Sequence, residues 1–181
     1  MTTRKLPENL IVAMYRKDYK TLERLLNADN INFVDDGGAT LLNLAVASGD
    51  ADSEMVQFLV DHGALVDVPS GTEKWTALHF AAYTLRRDLV QVLLNAGADA
   101  NAEDSSGDTP LSKAVMAPDP KVFLVHLLLQ YGADPDRKSK GGASPKDLAL
   151  STEQLNLFGT VDKPKRKRNA SVKTIQRMKK Q

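Results

Sequence analysis

The sequence predicts an all-α solenoid of stacked helix-turn-helix units, and three observations lead there. A hydroxyl residue followed by apolar residues and Ala recurs in TLLNLAVASG from Thr40, TALHFAAYTL from Thr76, TPLSKAVMAP from Thr109 and SPKDLAL from Ser144, at spacings of 36, 33 and 35 residues. A second landmark follows an apolar run each time: HGALVDV at His62, AGADANA at Ala96 and YGADPDR at Tyr131. Within the units, Met55, Val56, Leu59 and Val60, then Leu89, Val90, Leu93 and Leu94, fall at i, i+1, i+4 and i+5, which is one face of a helix. A repeat of this length is one supersecondary unit that buries its apolar face only by stacking on its neighbours.

Taken in order, ENLIVAMYRKDYKTLERLLNADNIN from Glu8 has helical patterning without the landmarks and reads as a degenerate first unit. In the three full units the first helix carries small residues, Ala45, Ala81 with Ala82, and Ala114, which let neighbouring backbones approach closely, while the second helix is bulky. The Thr before each first helix is placed to accept a hydrogen bond from an otherwise unpaired backbone N–H at the helix start. Gly63, Gly97 and Gly132 stand where the second helices end, a position that favours left-handed backbone angles. The last unit stops soon after its first helix, and Lys146 there replaces Leu42, Leu78 and Leu111 of the other units, as suits a solvent-facing cap.

These motifs are similar to the TPLHxAA and LLxxGADxN signatures of the ankyrin-repeat family, most fully from Thr76 to Asn101, and the resemblance covers roughly Pro7 to Phe158. It implies four to five repeats, antiparallel helix pairs joined by β-hairpin fingers, and a curved stack. It also implies a non-enzymatic module that binds another protein through finger tips and concave helix faces. His79, in the TALH turn, is expected to hydrogen-bond between adjacent units. The division that follows is a repeat domain over residues 1–158 and a basic tail over 159–181.

Composition agrees with a folded domain: 181 residues, 42% hydrophobic and 26% charged. The longest apolar runs, such as FLVHLLL from Phe123, fall far short of the roughly 18 residues of a membrane-spanning helix, so no membrane partner is expected. The N-terminus carries no secretory pattern, which makes cytoplasm the expected location. The absence of Cys removes disulfides, thiolate ligands and Cys nucleophiles. No Gly-rich phosphate loop, GxSxG or HExxH occurs, and no cofactor, metal site or catalytic residue is expected.

Because the scaffold is generic, function is sought where the units differ. From hydroxyl landmark to glycine is 21 residues in the Thr76 unit but 23 in the Thr40 and Thr109 units, which places two extra residues between their helices, in SGDADSE from Ser48 and APDPK from Ala117. The finger before Thr76, VPSGTEKW, has one extra residue and the chain's only tryptophan, Trp75, where sister units have Ala39, Asp108 and Ala143. Trp75 is expected either to project as an interface anchor or to pack flat on a neighbouring finger. Tyr83, Arg86 and Arg87 add bulk near it, with Leu85 and Arg86 standing where another unit has Gly49. Glu73, Trp75, Tyr83, Arg86 and Arg87, with the finger residues Asp104 and Asp108, form the candidate protein-binding set.

The net charge of +1 conceals a division: up to Asp162, 15 Lys and Arg face all 23 acids, a net −8, whereas 9 cations and no acid follow from Lys163, a net +9. KPKRKR contributes Lys163, Lys165, Arg166, Lys167 and Arg168, and Val172, Ile175 and Met178 then recur every third residue among further cations. A solvated tail, a nuclear import signal in a eukaryotic cell, a nucleic-acid contact, and docking of this tail onto the acidic body all fit that chemistry. The second half could form a short basic amphipathic helix when bound. The alternative function is accordingly a nucleic-acid-associated or nuclear regulator working through the tail, though it lacks aromatics for base stacking. The chain is expected to be monomeric unless bound.

Overall fold

Short helices alternate between two rows. A computed structural model describes residues 6–49, 52–152 and 155–158. The first row holds α1 (Glu8–Tyr15), α3 (Leu41–Ala47), α5 (Ala77–Tyr83), α7 (Pro110–Met116) and α9 (Pro145–Ser151); the second holds α2 (Tyr19–Leu25), α4 (Ser53–Asp61), α6 (Arg87–Asn95) and α8 (Val122–Gln130). Along the first row α1 packs on α3, α3 on α5, α5 on α7 and α7 on α9; in the second, α4 packs on α6. A short 3-10 turn (Leu155–Phe158) packs against α8 and α9 and buries Leu157. The tail from residue 159, including the amphipathic-helix expectation, lies outside the described residues.

The rows meet as the small and large positions require. Ala45, Ala81, Ala82 and Ala114 are fully buried, and Leu42, Leu78 and Leu111 beside them leave at most 1% of their surface exposed. Lys146, at the equivalent place in the last unit, is exposed, and its ammonium pairs with Asp136 at 3.1 Å. The second row supplies the bulky layer: Val56, Leu59, Leu89, Val90, Leu93, Leu124, Val125 and Leu128 are fully buried. Truncating any one such Leu to Ala would cost roughly 2–5 kcal/mol.

The helix starts follow the hydroxyl landmarks. Oγ of Thr40, Thr109 and Ser144 accepts the N–H three residues on, from Asn43, Ser112 and Asp147, at 3.2, 3.3 and 3.1 Å. In the three full units the second helix ends on a left-handed glycine, Gly63, Gly97 or Gly132, with φ of 92°, 92° and 90°, whereas α2 ends on an extended Leu26. The first helix of the central unit ends in the same hand without glycine: Leu85 takes φ 57° where Gly49 takes 77°. Left-handed geometry costs a branched residue about 1–2 kcal/mol, which packing of the Leu85 side chain against the core offsets.

The connections between paired helices of the three full units are residues 48–52, 84–86 and 117–121, that is five, three and five residues. The two-residue insertions are thus where the spacing put them, although residues 50 and 51 are outside the described set. The expected β-hairpin fingers require a correction. Three fingers close with a single cross-finger backbone hydrogen bond, Asp35 N–H to Ala39 C=O at 3.1 Å, Asp104 to Asp108 at 3.0 Å and Ser139 to Ala143 at 3.0 Å, around a turn bond from Gly38, Gly107 or Gly142 back to the first residue at 2.9–3.0 Å. They are tight turns, too short for a ladder. Only Ser70 and Trp75, one residue further apart, exchange both bonds, at 2.8 and 3.1 Å, and make an isolated antiparallel bridge.

Candidate protein-binding surface

Trp75 leads out of that bridge and is half-buried. Its ring meets Phe80 edge-on at 5.0 Å and Tyr83 at 5.5 Å, both on α5, and lies 6.5 Å from the His79 ring. The indole N–H donates to Asp104 Oδ2 at 3.1 Å in the next finger. Trp75 therefore joins two units, and its removal would weaken the fold as well as any surface it borders.

Asp104 and Asp108 have structural duties too. Asp104 Oδ1 accepts the N–H groups of Ser106 and Asp108 at 2.8 and 2.9 Å, which sets the finger turn. Its Oδ2 and that of Asp108 receive the Lys113 ammonium at 2.8 and 2.9 Å; the Asp104 side chain is 1% exposed and that of Lys113 is 9% exposed. The same ammonium lies 5.1 Å from the centroid of the Trp75 ring. Burial alone would raise the Asp104 carboxyl, but the Lys113 contact and the two N–H donors outweigh it and hold the group below the usual carboxylate range. Burial likewise works against the Lys113 charge, and the two carboxylates more than compensate.

His79 performs the inter-unit role expected of it. Nδ1 accepts from the Thr76 N–H at 3.2 Å, so the ring proton sits on Nε2 and donates to the Asp108 carbonyl at 3.1 Å. Burial keeps the imidazole below its usual range, and thus neutral. Asn43 does the same one unit earlier, accepting from Thr40 N–H and donating to the Val68 carbonyl, each at 3.1 Å.

The remaining candidates divide between two edges. Glu73, exposed at a finger tip, accepts the Ser105 N–H on its carbonyl at 2.8 Å and the Ser105 hydroxyl on its carboxylate at 3.2 Å. Arg86 reaches across to the Gly49 carbonyl at 3.0 Å and pairs with Asp88 at 3.3 Å, tying the central unit to the connection before it. Arg87 opens α6, with its guanidinium 5.6 Å from the centroid of the Phe123 ring at the start of α8. Arg86 and Arg87 do not join the Trp75 cluster.

Tyr83 does, and it belongs to a column. Two residues before the left-handed positions Lys17, Gly49 and Leu85 stand Tyr15, Ala47 and Tyr83; Met116 is the equivalent residue seven after its hydroxyl landmark, as Tyr83 is after Thr76. All four are exposed on consecutive first-row helices: Tyr15 48%, Tyr83 42% and Met116 52%, with Ala47 leaving a low step between the tyrosines. Sequence reasoning missed Tyr15 because its unit lacks the landmark from which to count. It missed Met116 and Lys113 despite a usable signal: Met116 shares the Tyr83 column, and Lys113 places a charge where Leu44, Phe80 and Leu148 are apolar. The tail candidates Lys163, Lys165, Arg166, Lys167 and Arg168 lie outside the described residues.

Among the described residues no group of three or more His, Asp and Glu side chains is placed to hold a metal, and no helix is long and apolar enough to cross a membrane. A stack of helix pairs with interlocked fingers and an exposed apolar column along one row is a repeat solenoid of the binding-scaffold type. The chain belongs to the ankyrin-repeat family: the family model for ankyrin repeats (3 copies) matches residues 10–104 and 70–139. Such repeats are generally protein–protein interaction modules. Similar proteins include an ankyrin repeat protein of fowlpox virus, 31% identical over 159 residues covering 84% of this chain and 46% of that one. An E3 ubiquitin-protein ligase of Caenorhabditis elegans is 36% identical over 157 residues, covering 86% of this chain and 6% of the ligase. An ankyrin repeat-containing protein of Treponema pallidum is 38% identical over 112 residues, covering 62% and 36%. The chain spans less than half the length of each of these relatives.

Proposed function

We propose that this chain is a non-enzymatic binding module that holds a partner protein against the first-row helices, with Tyr83 and Met116 as anchors, Tyr15 at one end and the Glu73 finger tip at the edge. The observation that carries this reading is the exposed column Tyr15, Ala47, Tyr83 and Met116, which crosses four consecutive units and runs beside Trp75. Aromatic and Met side chains are enriched in interface cores, and a partner laid along the column would bury them without rearranging the stack. The polar groups nearby are already engaged in the fold: Asp104 and Asp108 hold Lys113, and the His79 ring bridges Thr76 and Asp108. That supports occupation or scaffolding rather than chemistry. The cytoplasm suits such a role.

The test is capture from a lysate with the full chain, with Tyr83→Glu plus Met116→Glu, and with a second-row control, Gln91→Glu. A protein retained by the parent and the control but lost by the double variant, with thermal unfolding of the three within a few degrees, is the expected result. Equal capture by all three would remove the column from the binding surface. The nucleic-acid or nuclear reading rests on the Lys163 to Arg168 run; it requires DNA or RNA binding that weakens steeply with salt and disappears when the chain is ended at Asp162.

A further inference from the structure

Between α2 and α4, on the second row, lies an open cleft of about 370 Å³ lined by Tyr19, Glu23, Glu54, Gln57, Phe58 and Asp61. Its floor is aromatic, with the Tyr19 and Phe58 rings edge to face at 5.1 Å. Its rim carries three carboxylates, and no lining residue is a cation. The nearby Lys17 ammonium is engaged by Asp52 at 2.5 Å. The Tyr19 hydroxyl is shielded from solvent and has no hydrogen-bond partner among the described residues. Burial, then the charges of Asp52 and Glu54, hold that phenol above its usual range. An apolar floor under an acidic rim calls for an occupant that is basic and amphipathic.

We propose that the occupant is the chain's own segment from Lys167 to Lys180, docked in cis across α2 and α4. That segment lies outside the described residues, and only its composition enters: nine cations and no acid from Lys163 on, with Val172, Ile175 and Met178 spaced among them. The rest of the chain is −8, so the charges are complementary. Reach is sufficient. Helices in a row sit about 8–10 Å apart, which puts the cleft roughly 25 Å from α8; the 14 residues from Phe158 to Val172 extend to about 46 Å at most. Tethering also places the segment at an effective concentration on the order of millimolar, where a weak contact is populated. Docking here leaves the Tyr15 to Met116 column free but covers the end of the basic run at Lys167 and Arg168, so an anionic partner or an import receptor must first displace it. The proposal does not depend on the partner-binding reading, which concerns the other row.

Since the chain has no cysteine, Ser171→Cys gives a single site for a spin label on the full protein. Amide signals of Tyr19 and Phe58 should fall below about half intensity in the labelled chain at low salt and recover at about 0.5 M salt, where screening is short-ranged. They should recover equally in Glu23→Gln/Glu54→Gln/Asp61→Asn and in a chain with Lys163, Lys165, Arg166, Lys167 and Arg168 changed to Gln; the second leaves the cleft intact should the first fail to fold. No attenuation at Tyr19 and Phe58, or attenuation centred elsewhere on the body, would overturn the assignment. So would attenuation that appears on isotope-labelled chains mixed with separate spin-labelled ones, because the occupant would then be a second copy.

Discussion

Replacing Lys113 by Met tests whether the buried charge cluster, rather than apolar packing alone, joins the central unit to the next. Met keeps most of the length that lies against Trp75 but removes two charge-assisted hydrogen bonds, 2.8 and 2.9 Å long, to Asp104 and Asp108. Bonds to charged groups contribute about 1.5–3 kcal/mol each, and a buried pair broken on one side costs about 3–5 kcal/mol. Asp104 would keep three N–H donors, from Ser106, Asp108 and the Trp75 indole, which limits the penalty. The expected loss is about 3 kcal/mol, at the low end of that range. Adding Asp108→Asn removes one stranded charge without taking an acceptor from the Ser106, Asp108 and Trp75 N–H groups on Asp104, and should restore part of the loss. The pH course has a definite sign. Asp104 is depressed in the fold, so its contribution is complete above about pH 4 and fades as pH falls through its folded value; Lys113 is raised, so its contribution is complete below about pH 10.4 and fades above. The difference between parent and variant should thus be flat from about pH 5 to 9 and shrink in acid.

Urea unfolding read by two probes is the assay. Trp75, the only tryptophan, reports this joint, whereas far-ultraviolet circular dichroism reports the whole stack. Stability in such a stack is a sum of unit and nearest-neighbour terms, so a weakened joint should bring the fluorescence transition to lower urea than the dichroism transition. A Lys113→Met chain within about 0.5 kcal/mol of the parent, or one made still less stable by Asp108→Asn, would refute the reasoning.

Three further outcomes are expected. His79→Ala should cost about 2–3 kcal/mol at pH 7.5 by orphaning groups at Thr76 and Asp108; because burial lowers the His79 pKa, the parent loses stability as pH drops below about 6.5, and a His79→Asn chain, built as the Asn43 unit is, should escape that loss in pH-dependent denaturant titrations. Gly107→Ala should be more costly than Gly132→Ala: both glycines have positive φ, but a Cβ at Gly107 would stand 3.0 Å from the Lys140 backbone nitrogen while one at Gly132 meets nothing within 4 Å; the difference should be about 1 kcal/mol or more in thermal melts. Asp67 accepts the Asp99 N–H where Asn32 and Asn101 both accept an N–H and donate to Gly63 and Gly132. Burial raises the Asp67 carboxyl, so its favourable protonated form is lost as pH rises. Asp67→Asn should therefore stabilise by a few tenths of a kcal/mol at pH 7 and by less at pH 4.

What the sequence determined by itself is the stack. Period, landmark spacing and the small-large alternation are local or nearest-neighbour properties, and each has one packing solution: Ala45, Ala81 and Ala114 permit close approach only between helices of one row, and Gly63, Gly97 and Gly132 permit the same left-handed exit in the three full units. Even the finer counts, the two-residue insertions and the longer Trp75 finger, were legible, because chain length between fixed landmarks is conserved by covalent geometry. Tertiary structure alone decided which side chains remain free. Trp75 and Asp104 are 29 residues apart, and only stacking brings the indole N–H to that carboxylate; Asp104, Asp108 and Arg86 look in sequence like exposed polar contacts and are spent within the fold on Lys113, a finger turn and the Gly49 carbonyl. Tyr15 and Met116 are exposed; the count from Thr109 could have placed Met116 with Tyr83, but nothing in the Tyr15 segment supplies a landmark. The cleft at Tyr19 and Phe58 is likewise a property of two residues 39 positions apart in sequence, brought together only by the packing of α2 and α4.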